Sequence, residues 1–189
     1  IIKFNPKLVN SNRYITLLGD GSLGGKGRGL AFLSNFIENV YLKKLIPDLH
    51  VAIPKTAVIG MNEFDNFLEN NNLYDVIFED KEYNHVLEAF RTARLSEQLR
   101  NNLRKYLQVM TKPLAVRSSG LFEDSLNQPF AGVYSTYLLP NNHPDIERRL
   151  EDVENAIKLV FASIYSPESR AYFNAIDYMI EEEKMAVII

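Results

Sequence analysis

Gly19-Asp20-Gly21-Ser22-Leu23-Gly24-Gly25-Lys26-Gly27-Arg28-Gly29 holds six of the chain's nine glycines. It follows a short strand-like run, residues 14–18, and opens a helix that continues to about residue 45. Strand, glycine loop and helix in that order make an anion site. Bare backbone N–H groups gather at a helix N-terminus, and Lys26 adds a full positive charge. A flexible surface loop with an exposed lysine is the plain alternative, and so many glycines at the mouth of a helix count against it. The stretch also fits G-x-G-x-x-G from Gly19 to Gly24. A dinucleotide site would then need an acid at the end of the next strand, but residues 51–59 carry none. Walker A fails as well, because Asp20 stands where its first glycine should be and Gly27 where Ser or Thr should be.

A second motif lies in the other half of the chain. Ala115-Val116-Arg117-Ser118-Ser119-Gly120 places an arginine after an apolar strand and beside two hydroxyls. That set can hold phosphate bidentately and add donors to it. A salt bridge from Arg117 to Glu123 or Asp124 is the competing reading. Phe130-Ala131-Gly132 then feeds a strand. Gly132 lets backbone N–H groups approach a phosphate, with Ser135 and Thr136 as further donors, unless it is an ordinary hairpin glycine. Each motif puts one cation beside thinly covered backbone, and together they point to a nucleotide site built from distant segments.

Around these motifs the helix after the loop places Phe32, Phe36 and Val40, with Ile37 and Tyr41, on one apolar face. Pro47 ends it. Residues 51–53 and 56–59 read as strands broken at Pro54. Asn62 is placed to cap a short helix to about residue 68, stopped by Asn70-Asn71-Asn72. Helices follow over about residues 81–93 and 96–109, the latter capped by Ser96. Residues 114–116 and 133–139 read as strands, 121–129 as loop, and Pro140-Asn141-Asn142 as a turn. Ile146, Leu150, Val153, Ile157, Val160 and Ile164 alternate spacings of four and three, a helical core stripe. Ser166-Pro167-Glu168 opens another helix. Glu181-Glu182-Glu183 reads as a solvated turn. Interleaved helices and strands give an α+β (mixed α/β) class with a mixed sheet.

Composition sets outer bounds. At 189 residues the chain is one domain or most of one. A chain of this size buries roughly 70% of its unfolded surface, so no disulfide or metal is needed to hold a core. It has no cysteine, which excludes a thiol nucleophile and fits a reducing compartment. A net charge of −3 and no Lys/Arg run argue against broad nucleic-acid binding. No apolar stretch reaches the roughly 18 residues of a membrane span, and no signal peptide is visible. The chain starts at Ile1 and closes on the apolar run Met185-Ala186-Val187-Ile188-Ile189, so it is read as a segment of a longer protein.

Several stretches carry a resemblance. Gly24-Gly25-Lys26-Gly27-Arg28-Gly29-Leu30 fits G-G-K-x-x-x-L. Val116-Arg117-Ser118-Ser119-Gly120-Leu121-Phe122-Glu123-Asp124 fits V-R-S-S-x-x-x-E-D. Phe130-Ala131-Gly132-Val133-Tyr134-Ser135-Thr136 fits F-A-G-x-x-x-T. With the Ile53-Pro54 segment, Ala162-Ser163-Ile164-Tyr165 and the closing apolar run, the chain resembles the N-terminal ATP-binding domain of phosphoenolpyruvate synthase and pyruvate phosphate dikinase. The likeness runs from about residue 20 to the end. It implies the first part of an ATP-grasp-type domain over residues 19–189, cut short at its C-terminus, after a lead-in of residues 1–18. Lys26 and Arg117 would be the catalytic, phosphate-neutralising cations. Ser118, Gly132, Val133, Tyr134, Ser135 and Thr136 would complete the ATP contacts.

The family passes a phosphoryl group from ATP to a histidine on a swivelling domain and then to pyruvate on a barrel domain. The resemblance therefore implies ATP and Mg2+ as cofactors and a cytoplasmic parent enzyme, with a homodimer as one arrangement. Metal ligands are expected beyond residue 189, and the phosphohistidine and pyruvate domains in the rest of the parent. The family's histidine motif is absent: His50, His85 and His143 sit in unrelated contexts. Gly120-Leu121-Phe122 and Val133-Tyr134 replace the family's small and polar residues, so those positions keep backbone contacts only. Two other readings stay open: a related phosphotransferase acting on an antibiotic or a glucan, and a non-catalytic module of the same fold.

Overall fold

The computed structural model describes residues 1–5, 15–39, 48–49, 51, 53–79, 82–121, 123 and 132–189. Among them six strands form one mixed sheet: β1 Ile2–Lys3, β2 Ile15–Gly19, β3 Thr56–Ile59, β4 Leu114–Gly120, β5 Thr136–Leu139 and β6 Met185–Ile188. Their spatial order is β1-β2-β3-β6-β4-β5. The first three run parallel to one another, and β6 pairs antiparallel with both β3 and β4. The apolar close of the sequence is thus a central strand. Ala57 and Ile189 bond each other's backbone in both directions at 2.8 Å.

Side chains alternate across a strand, and the cores follow that alternation. On one face Ile15, Val58 and Ile188 meet Leu23, Leu30 and Ala31 of helix α1, Gly24–Asn39, and its approach. On the other, Ala57, Ile59, Val116 and Val187 join the larger core with the remaining helices. These are α2 Met61–Asn70, α3 Tyr74–Phe78, α4 Tyr83–Thr92, α5 Glu97–Val109, α6 Ile146–Ala162 and α7 Pro167–Ala175. Covered on both sides, β3 and β6 are buried at every position, as their sequences, apolar but for Thr56, require. The α6 stripe from Leu150 to Val160 is buried. Beside it Phe161 packs on Phe64 at 5.1 Å and on Phe67 at 5.5 Å between ring centroids. No helix among the described residues is long and apolar enough to cross a membrane.

Two helices start at the capping residues the sequence marks. Ser96 accepts from Leu99 N at 3.1 Å, and Ser166 accepts from Ser169 N with Pro167 in the first turn. Several expectations are corrected. Phe32 and Phe36 do not form a buried face of α1. They are 68% and 51% exposed and stack on each other. The helix meets the sheet through Gly27, Leu30 and Ala31 instead, and a residue next to that line is turned about 100° from it. Val40, Tyr41, Pro47 and the rest of residues 40–47 lie outside the described residues. So do His50, Ala52, Tyr14, Lys81 and the loop residues 122 and 124–131.

Val51 and Ile53 are not in a strand. Asn62 lies inside α2, whose N-cap is Gly60. The short α3 was not anticipated. Strand β4 runs on to Gly120, because Arg117 to Gly120 pair with Ile188 to Met185. Strand β5 is shorter than expected, starting at Thr136. Glu183 is not solvated: it is 2% exposed and its Oε1 accepts from Leu121 N at 3.0 Å.

Candidate functional site

The glycine loop lands on the second half of β4. Gly24 adopts φ +70°, and a Cβ there would overlap the Ser119 carbonyl. A Cβ on Gly25 would overlap the carbonyl of Glu123. Absent side chains therefore bring the start of α1 into contact with the strand. Hydrogen bonds fix the approach: Gly27 N donates to Ser119 Oγ at 2.9 Å, and Ser119 Oγ donates to Leu23 O at 2.7 Å.

This docking carries Lys26 to a residue 92 positions away in sequence. Its ammonium donates to the Ser118 carbonyl at 3.3 Å and to Ser118 Oγ at 3.2 Å. It also forms an ion pair with Glu123 Oε1. Glu123 Oε1 accepts from Ser118 Oγ at 2.8 Å, and Oε2 accepts from Gly120 N at 2.7 Å. The carboxylate is sealed, with its side chain 2% exposed, while that of Lys26 is 25% exposed. The sequence offered Glu123 as a competitor for Arg117. The structure gives it to Lys26, and Asp124 lies outside the described residues.

Arg117, next to Ser118, is exposed on the same sheet face as α1. It sits opposite Thr136 of β5, also exposed, so the two side chains share a face. Arg117 also borders a cleft of about 490 Å3 with an apolar floor that includes Leu30, Ala115 and Ile188. Two further cations line it, Lys55 and Lys112. The sequence reading missed both. Each is a lone lysine beside a proline, and each stands just before one of two strands, β3 and β4, that start at the same end of the sheet. A Pro-Lys and a Lys-Pro leading into apolar strands were the only signal available.

The segment from Gly132 to Thr136 divides its roles. Gly132 is exposed at φ +75°, with no heavy atom near a Cβ position. Val133 packs against the large core, and Tyr134 belongs to it at 7% exposed. Burial, and then the Glu183 carboxylate, push the Tyr134 hydroxyl far above the ordinary tyrosine range. Its side chain therefore serves the core rather than the open face. Ser135 N donates to Ser163 Oγ at 3.2 Å, so that N–H is already engaged. Thr136 remains as the exposed donor across from Arg117. Among the described residues, no three of His, Cys, Asp and Glu are grouped to hold a metal ion. His143 Nδ1 accepts from Asp145 N at 3.1 Å, a local turn contact.

Chemically this is an open sheet face with Arg117 and Thr136 beside an apolar, lysine-flanked cleft, while the partly exposed Lys26 is engaged with Glu123 and with Ser118, the strand residue next to Arg117. Such a face suits an anion joined to a flat apolar group. The family model described as pyruvate phosphate dikinase, AMP/ATP-binding domain, matches residues 20–189 of the chain. No curated protein matches it.

Proposed function

The chain belongs to the pyruvate phosphate dikinase AMP/ATP-binding domain family, and from that premise we propose that it serves a phosphoenolpyruvate synthase or dikinase-type phosphotransferase by holding ATP for phosphoryl transfer to a histidine on another domain, and thence to pyruvate. The observation that supports this reading is the convergence on β4. Glycine packing brings Lys26 onto Ser118, beside Arg117, from 92 residues away. A polyphosphate held there would be neutralised by the Lys26 ammonium, once drawn from its Ser118 and Glu123 partners, and by the planar Arg117 guanidinium. The guanidinium can take two oxygens at once. Thr136 Oγ1 adds a donor on the same face.

The base and ribose then take the apolar cleft, where Lys55 and Lys112 raise the local positive potential. Mg2+ accompanies ATP as its counter-ion. Phosphoryl transfer proceeds through a loose, charge-spread transition state. The protein's part is to place the phosphates in line with the acceptor and to neutralise the oxygens.

Lys26→Ala and Arg117→Ala in the intact protein should each lower ATP-dependent histidine phosphorylation by about two or more orders of magnitude, as removing one donor to a developing charge does. Radiolabel transfer from ATP in single turnover measures it. Near-normal transfer in both variants, with wild-type unfolding midpoints, would sink the assignment.

A further inference from the structure

We propose that Glu123 is a positioning residue for Lys26: an internal counter-ion that keeps the ammonium closed until a polyphosphate takes its place. The proposal rests on reading Lys26 as a phosphate ligand. An ammonium has three N–H donors and no acceptor. Lys26 Nζ has three acceptors inside the protein: the Ser118 carbonyl, Ser118 Oγ and Glu123 Oε1. Every donor is engaged, so a phosphate oxygen can bind Lys26 only by displacing one of the three.

The geometry says which partner gives way and which group moves. Ser118 is a strand residue, paired in register with Val187 of β6, and its carbonyl is fixed by that pairing. Glu123 is the one acceptor with a full negative charge. Exchanging it for phosphate trades anion for anion at the same ammonium. The Glu123 carboxylate is the buried partner, and Lys26 is the one that reaches solvent. After the exchange Glu123 still accepts from Gly120 N at 2.7 Å and from Ser118 Oγ at 2.8 Å. Those two donors keep a buried carboxylate satisfied.

The backbone under Lys26 has no freedom to follow. Gly24 and Gly25 are wedged against the carbonyls of Ser119 and Glu123, and Gly27 N is tied to Ser119 Oγ. The movement is therefore a swing of the four-carbon lysine stem over a fixed helix start, from Glu123 towards the face that carries Arg117. In the closed position the cation is stored in the correct register. The nucleotide must be anionic enough to outcompete a carboxylate held next to it, which favours a di- or triphosphate over a nucleoside.

The test uses the intact protein, wild type and Glu123→Gln, with two readouts. The first is the acylation rate of Lys26 by an amine-reactive ester, read by mass spectrometry. The second is Mg-ATP affinity by calorimetric titration. Glu123→Gln should acylate Lys26 about tenfold faster and bind Mg-ATP about tenfold more tightly, since the closed state no longer competes with the ligand. An unchanged acylation rate, or weaker Mg-ATP binding in a folded Glu123→Gln, overturns the latch. Faster acylation with no Mg-ATP binding by either protein supports the pairing and overturns the phosphate reading of Lys26, so the two failures are distinct. Should Glu123→Gln not fold, Ser118→Ala repeats the acylation readout: it removes one acceptor of Lys26 and one donor to Glu123 without adding volume. A faster rate there supports the latch and an unchanged rate overturns it.

Discussion

Gly25 has the Glu123 carbonyl where a side chain would begin, and Gly24 has that of Ser119. At this scale the site is made by atoms that are missing. The contact is backbone against backbone, so a methyl group cannot be absorbed by a rotamer change. Gly25→Ala should therefore cost about 1–3 kcal/mol of stability by overpacking. It should also loosen Lys26 from Ser118. Urea unfolding reads the first effect; a wild-type midpoint would mean that α1 does not dock as described. The sequence singled out Lys26 and Arg117 as candidate phosphate cations because each carries charge beside bare backbone. It did not make the Lys26–Glu123 pair legible. Glu123 lies six residues from Arg117 in sequence, and proximity along the chain made Arg117 its natural partner. The strand direction turns Arg117 towards the open face and leaves Glu123 beneath the glycine loop.

Two helices with apolar residues at helical spacing behave differently at the scale of the element. In α6 the stripe from Leu150 to Val160 is buried beneath the sheet, and Phe161 contacts Phe64 and Phe67. In α1, Phe32 and Phe36 stand on the exposed side, stacked at 6.2 Å between centroids. Periodicity reports that a face is apolar, not which face a neighbour covers. In α1 the choice is made by Gly27 and Ala31, whose small size permits the closest approach to β4 and β6. Phe161→Ala should cost about 3–5 kcal/mol as a cavity in the large core. Phe36→Ser should change stability by less than about 0.5 kcal/mol, as an exposed substitution does. Paired denaturant midpoints check both, and a large loss at Phe36 would contradict its exposure. Of the three capping residues singled out in the sequence, Ser96 and Ser166 cap as expected, each acting on the N–H group three residues on, whereas Asn62 lies inside α2.

At the scale of the whole molecule the large core also buries phenols, and this sets an alkaline limit. Burial pushes the Tyr106 hydroxyl up to about 12, and those of Tyr134 and Tyr165 higher still. In the unfolded chain these groups lose their protons near pH 10, so above that point the folded state binds more protons than the unfolded one. Their contribution is fully present below about pH 10 and is lost as pH rises through the folded values, by up to about 1.4 kcal/mol per pH unit for each group. Lys158 acts in the opposite sense. Burial lowers its pKa, so stability rises as pH climbs from its folded value towards the ordinary lysine value. Three phenols outweigh one ammonium, and the urea midpoint should fall steadily above about pH 10. A midpoint that stays level well beyond that pH would show that these hydroxyls are not held neutral by the fold.

The sequence by itself determined the class, most helix bodies, two helix caps and the motifs that carry the family likeness, because each of these depends on residues within a turn or two of one another. Tertiary structure alone decided the order β1-β2-β3-β6-β4-β5, the burial of Glu183, the aspect of α1, the placing of Lys55 and Lys112 on one cleft, and the transfer of Glu123 from Arg117 to Lys26. These follow from strands pairing across more than a hundred residues and from two glycines that let a helix touch a strand. Local spacing carries no information about which distant backbone arrives there.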